Sequence, residues 1–132
     1  MIVDSGVWID HFLDRTTPTV TFLRAALRAG RAVFLTPSVL QEVLQGTRDT
    51  AQFARYERLL ALIAFAQIGD ARDAAVIAGN LYARLRWSGV TVPSQDCQIA
   101  AHAVCSGEPL LTCDADFDPI TQIEPRLHLL AV

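Results

Sequence analysis

The chain contains no lysine: all eleven of its basic residues are arginines. That absence excludes Walker-type phosphate loops, Schiff-base chemistry and the receiver-domain phosphorylation switch, each of which needs a lysine amine. Cysteine is sparse too. Cys97, Cys105 and Cys113 form an odd set spaced by eight, which fits neither a disulfide framework nor a zinc finger. They are expected to be buried free thiols in a reducing compartment. His102 lies between two of them, but on one helix positions 97, 102 and 105 span too wide an arc to close around a metal. No apolar run approaches the roughly 18 to 20 residues of a membrane span, the densest being Leu59 to Ala66. The opening Met1-Ile2-Val3-Asp4 lacks the basic and apolar regions of a signal peptide, so a cytoplasmic location is expected. There is no basic surplus either. A net charge of −3 gives no general attraction to nucleic acid, and any such binding must be local.

What is present is apolar surface in quantity. At 132 residues the chain is expected to form a single domain over residues 1–132. Its 52% apolar content excludes disorder and exceeds what a lone small monomer needs, which points to self-association or a tight partner. Short apolar segments alternate with helical patterns. Strands are expected at Met1–Val3, Ala32–Leu35, around 63–68, at Leu110–Thr112 and at Leu127–Val132. Helices are expected after Asp4-Ser5, after Thr17-Pro18, after Thr36-Pro37, over about Thr50 to Leu62, over Asp70 to Arg86 and over Gln95 to Cys105, with a turn or short helix at Asp114–Asp118. This alternation predicts an α/β sandwich around a mostly parallel sheet of four to five strands. In such a fold a site lies beyond the carboxyl ends of the strands, where strand order reverses.

Several carboxylates fall at those places. Asp4 directly follows the first strand and, taken alone, reads as a helix N-cap. Ser94 is expected to cap the helix that contains Asp96, which puts that carboxylate in the first turn, favoured by the helix dipole. At 100° per residue, however, Asp96 aligns with Ala100 and Ala103 and points toward the buried face. A charge there needs a partner or a raised pKa. Asp114, Asp116 and Asp118 follow the fourth strand, but Pro119 and Pro125 stand where a calcium loop needs glycine and glutamate. An Asx-turn is the simpler reading of the three. Glu42 lies off the Val39–Leu40–Val43–Leu44 stripe and reads as a solvated side chain. If Asp4, Asp96 and Asp114 converge within about 5 Å, each pair repels by roughly 3 kcal/mol at an effective dielectric near 20. A divalent cation offsets much of that cost, and Mg²⁺ or Mn²⁺ suits hard carboxylate oxygens better than zinc.

Four segments resemble a known family in order and across nearly the whole chain. The opening Ile2-Val3-Asp4-Ser5-Gly6-Val7-Trp8-Ile9-Asp10, then Pro37-Ser38-Val39-Leu40-Gln41-Glu42-Val43-Leu44-Gln45-Gly46, Asp96-Cys97-Gln98-Ile99-Ala100-Ala101 and Leu111-Thr112-Cys113-Asp114-Ala115-Asp116-Phe117 are similar to the motifs of PIN-domain toxins of the VapC type. The resemblance implies a three-layer PIN-like α/β/α fold and an endoribonuclease acting as the toxin of a type II toxin–antitoxin pair. Cleavage of RNA by metal-activated water would inhibit translation. It also implies that Asp4, Glu42, Asp96 and Asp114 form an acidic site for Mg²⁺ or Mn²⁺, with Asp116 as a further ligand. Ser5 and Thr112 would orient the carboxylates through their hydroxyls. RNA contacts would come from arginines, with Arg15, Arg48 and Arg86 near the motif-bearing segments. The implied partners are the RNA substrate, a cognate antitoxin and a second copy of the chain, with no membrane.

Three rivals are weighed against this. A non-catalytic PIN-like module that binds RNA or protein would be favoured by loss of an acidic position, and all four are present. A related metal-dependent DNA nuclease has the same carboxylate needs, so only the preferred nucleic acid separates it from a ribonuclease. A haloacid-dehalogenase-like phosphatase needs an aspartate at position 6, which is Gly6, and a lysine, which is absent.

Overall fold

The computed structural model describes all residues, Met1–Val132. Four two-residue strands, β1 (Ile2–Val3), β2 (Phe34–Leu35), β3 (Ala64–Phe65) and β4 (Leu110–Leu111), form one sheet in the order β3-β2-β1-β4. Every pairing is parallel. Seven helices flank it: α1 (Ser5–Phe12), α2 (Pro18–Arg28), α3 (Pro37–Gln45), α4 (Thr50–Leu60), α5 (Ala71–Trp87), α6 (Ser94–Ser106) and α7 (Phe117–Ile123). The result is the three-layer α/β/α arrangement, since parallel strands need helical crossovers that cover the sheet faces. Ile2, Val3, Leu110 and Leu111 are completely buried at its centre, in a core of 28 residues.

Local chemistry sets most helix starts. Asp4 accepts from the Ser5 amide, Thr17 from the Val20 amide, Thr36 from the Val39 amide and Asp49 from the Gln52 amide. Each side chain satisfies an amide that the first turn leaves without a partner. Pro18 and Pro37 sit at first helical positions, where a missing N–H costs nothing. Helix α6 differs from expectation. Ser94 is already helical and Pro93 holds the cap position, with no side-chain cap at all. Gly107, with φ of 69°, ends the same helix in the left-handed conformation that glycine adopts without steric cost.

The final strand expected at Leu127–Val132 shrinks to one parallel bridge between Leu110 and Leu129. Leu110 donates to the His128 carbonyl and accepts from the Leu130 amide, both at 2.9 Å, so the tail touches the edge of the sheet without running along it. β4 has only two residues to offer, which limits the ladder.

The register positions the loops that carry the acids. Val3 pairs with Leu111, so the next residues, Asp4 and Thr112, leave the sheet side by side. Strand β1 lies between β2 and β4, and the chain departs from it in both directions. The crevice beyond Val3 and Leu111 is therefore the point where strand order reverses.

Candidate metal centre

Five carboxylates from four separate segments meet in that crevice. Asp4, Glu42, Asp96 and Asp114 line a cavity of about 460 Å³ together with Ser5, Gly6, Ile9, Pro93, Cys113 and Ala115. Asp96, Asp114 and Asp116 bring carboxylate oxygens within 4.8 Å of one another. A larger concavity of about 580 Å³ lies between α3, α5 and α6, but it contains no carboxylate and half of the residues lining it are apolar. The acidic cavity is the one equipped for chemistry, because concentrated like charge is what the fold must counter.

Asp4 is held at both oxygens. The Ser5 amide donates to Oδ1 and the Thr112 hydroxyl to Oδ2, each at 2.7 Å. Thr112 Oγ1 in turn accepts from the Asp114 amide at 3.0 Å, and Asp114 Oδ1 accepts from the Asp116 amide at 2.9 Å. The last contact is an Asx-turn, so the aspartates after β4 shape their own loop as well as facing the cavity. The N-cap reading of Asp4 and its place in the acidic site thus coexist in one side chain.

Asp96 and Glu42 are not held at both oxygens. Asp96 is 7% exposed, and its Oδ2 is buried with no hydrogen-bond partner, as is Oε2 of Glu42. Burial first, and then the charges of Asp4, Asp114, Glu42 and Asp116, together raise the pKa of Asp96 to about 7. Asp4 is raised chiefly by burial, against which the Thr112 and Ser5 hydrogen bonds work. Glu42 is raised by burial first and by Asp4 and Asp114 after that, with the Ser5 hydroxyl favouring its charged form. Asp114 lines the cavity; Asp116 does not, yet its carboxylate comes within 4.8 Å of those of Asp96 and Asp114.

No positive group balances this charge. The chain's ion pairs within 4.0 Å involve none of the five acids. Two buried carboxylate oxygens without donors, amid like charges, are costly unless protonated or bound to a cation. The donor set is oxygen-only, which suits Mg²⁺ or Mn²⁺.

The structure corrects Glu42: it is half-buried, because α1 packs beside α3 and covers a face that α3's own periodicity leaves to solvent. It also corrects the thiols. All three are free, but only Cys97 is buried, while Cys105 is half-buried and Cys113 is exposed at the cavity. Cys113 lies past the end of β4 in the acidic loop, a placement its apolar character does not signal. Pro93, Gly6, Ile9 and Ala115 also line the cavity, and only their nearness in sequence to the acids could have marked them. The arginines are not brought in. Arg15 pairs with Asp10 at 2.7 Å, Arg48 lies against Asp49 at 3.3 Å, and exposed Arg86 lies in the last turn of α5. None of the three lines the cavity.

The chain belongs to the PIN-domain family, whose family model matches residues 1–122. Its relatives there are of the VapC kind. It is 32% identical over 126 residues to a VapC ribonuclease of Mycobacterium bovis, a match covering 93% of this chain and 92% of that protein. Among solved structures, VapBC-5 of Mycobacterium tuberculosis, a member of the VapBC family of toxin–antitoxin systems, superposes with a TM-score of 0.65 at 25% identity. That match covers 99% of this chain and 97% of the other. VapBC2 of Rickettsia felis, bound to a DNA fragment from its promoter, shares the fold with a TM-score of 0.75 at 16% identity, over 98% and 96% of the two chains.

Proposed function

We propose that the chain is an endoribonuclease dependent on Mg²⁺ or Mn²⁺, and the toxin of a toxin–antitoxin pair that inhibits translation by cutting RNA. The observation that carries this reading is the cluster of five carboxylates without a countercharge, at the switch point of a PIN fold. The ribonuclease activity of its VapC relative gives the substrate class.

Asp4, Asp96 and Asp114 would hold the cation, with Glu42 and Asp116 as further ligands. When bound, the cation supplies charge for the phosphoryl oxygens and lowers the pKa of water toward neutrality. The protein's own part is positional. The Ser5 amide and the Thr112 hydroxyl hold both oxygens of Asp4 at a fixed angle, and the Asx-turn holds Asp114 and Asp116 in one loop. Hydrolysis forms one P–O bond to water and breaks one to a ribose oxygen. The proton lost by water passes to a carboxylate of the cluster, and Glu42 Oε2 is a free acceptor for it. The departing oxygen takes a proton from solvent.

The family relationship extends the reading to partners. A cognate antitoxin and a second copy of the chain bind apolar surface, and Leu62, Trp87 and Val76 are 82%, 73% and 65% exposed. Arg15, tied to Asp10 beside the acidic loop, contacts the RNA backbone, and Arg48 and Arg86 contact it further out. The site of action is the cytoplasm, where RNA is met and free thiols persist. No helix is long and apolar enough to cross a membrane.

The test is Mn²⁺ binding by calorimetry at neutral pH for the native protein and Asp96→Asn, followed by cleavage of matched RNA and DNA strands. Binding that weakens sharply in a folded variant, with RNA cut and DNA spared, is the expected result. Absence of binding in both proteins would favour a non-catalytic binding module. Cleavage of DNA alone would make the chain a DNA nuclease.

A further inference from the structure

The two unsupported carboxylates sit on different helices. Glu42 belongs to α3 and Asp96 to α6, and each leaves one buried oxygen without a donor. Asp4 and Asp114 are fixed by a continuous run of hydrogen bonds around the β1 and β4 ends. No such run holds Asp96, and Glu42 has only the Ser5 hydroxyl beside it, so their separation follows from how α3 docks on α6. Their like charges push those helices apart.

A single side-chain hydrogen bond ties the two helices together. Ser38 Oγ donates to Gln98 Oε1 at 2.6 Å, across 60 residues of sequence. Ser38 is 8% exposed and stands four residues before Glu42, on the same face of α3. Gln98 follows Asp96 by two residues on α6. The bond lies at the apolar groove between α3, α5 and α6, outside the acidic cavity, and neither residue lines that cavity.

We propose that Ser38 and Gln98 are a positioning pair that holds Glu42 against Asp96 at the spacing a small divalent cation requires. This rests on the cation reading of the acidic site. The pair touches neither cation nor substrate and acts only through the docking of α3 on α6. The consequence is selective. Mg²⁺ needs near-octahedral oxygens at about 2.0–2.1 Å, whereas Ca²⁺ accepts looser sets at about 2.3–2.6 Å. Loosening the tie therefore weakens Mg²⁺ far more than Ca²⁺, a pattern that general damage to the fold would not produce.

The experiment measures Mg²⁺ and Ca²⁺ affinities, by competition with Mn²⁺ followed by electron paramagnetic resonance. The proteins are native, Ser38→Ala, Ser38→Thr, Gln98→Leu and the Ser38→Ala/Gln98→Leu double variant. Gln98 is exposed, so its substitution leaves the core untouched even if position 38 proves sensitive. Each single loss should weaken Mg²⁺ roughly tenfold, the scale of one hydrogen bond, and change Ca²⁺ by less than about twofold. Ser38→Thr, which keeps the hydroxyl, should restore Mg²⁺ affinity, and the double variant should be no worse than either single one. Equal losses for both cations, additive losses in the double variant, or unchanged Mg²⁺ affinity would each overturn the pair's role while leaving the cation site intact. A native protein that binds none of the three cations would overturn the site itself, and the pair with it.

Discussion

In cation-free protein, Asp96→Asn should raise stability at neutral pH even as it destroys the proposed site. Asp96 is 7% exposed and has a folded pKa of about 7 against an ordinary 3.8, through burial first and then the charges of four neighbouring acids. The sign follows from proton binding. Between those two values the folded protein holds a proton that the unfolded chain releases, so stability falls as pH rises across the window and levels off above about 7. At about 1.4 kcal/mol per pH unit, the full loss is ~4 kcal/mol. Asparagine has the same shape and no charge, and the surrounding carboxylates accept from its amide. The two proteins should therefore match near pH 3.5 and differ by ~4 kcal/mol at pH 8. Urea unfolding at fixed protein concentration, with chelator present, reads this as a midpoint about 2 M higher for the variant, given a slope near 2 kcal/mol/M. Adding Mn²⁺ at 100 times its Kd should return ~2.7 kcal/mol to the native protein and far less to the variant. Equal midpoints at pH 8 with chelator, or a gap that does not change between pH 3.5 and 8, would refute the reasoning. Asp96 would then carry no uncompensated buried charge.

Thr112→Val removes the donor to Asp4 Oδ2 and the acceptor for the Asp114 amide, so Mn²⁺ affinity should fall about 10- to 100-fold in calorimetry while the protein stays folded. Because that hydroxyl lowers the pKa of Asp4, the remaining binding should also need a higher pH. Phe117→Ala empties a completely buried position at the start of α7 and should cost about 3–5 kcal/mol in denaturant unfolding. Glu124 is held below its ordinary 4.5, chiefly by hydrogen bonds from the Arg126 side chain. Its contribution is present above that value and lost as pH falls through the depressed one. Glu124→Gln should therefore cost up to about 1 kcal/mol at pH 7, since Arg126 is largely exposed, and nothing in strong acid, as urea midpoints at the two pH values would report.

Sequence alone determined which residues could serve and the kind of fold that would hold them. The alternation of short apolar segments with helical patterns specified a parallel α/β sheet, because a strand buried on both faces must be apolar throughout, as β1 and β4 are. The inward aim of Asp96 was legible because 3.6-residue periodicity ties its direction to Ala100 and Ala103 on the same helix. The capping chemistry of Asp4, Thr17 and Thr36 was legible for the same reason: each acts within one turn of its own chain. Tertiary structure decided what depends on a second element. Ser94 is a good capping residue in isolation, yet the chain enters α6 one residue earlier, at Pro93. The tail from Leu127 has a strand's composition, but it meets an edge too short to pair along. Glu42 is off its own helix's apolar stripe, and only the packing of α1 beside α3 turns that position into half of an unsupported carboxylate pair. The register of Val3 with Leu111 likewise set Thr112 beside Asp4, 108 residues away, a contact whose physical cause is the alignment of two strands and lies in neither one alone.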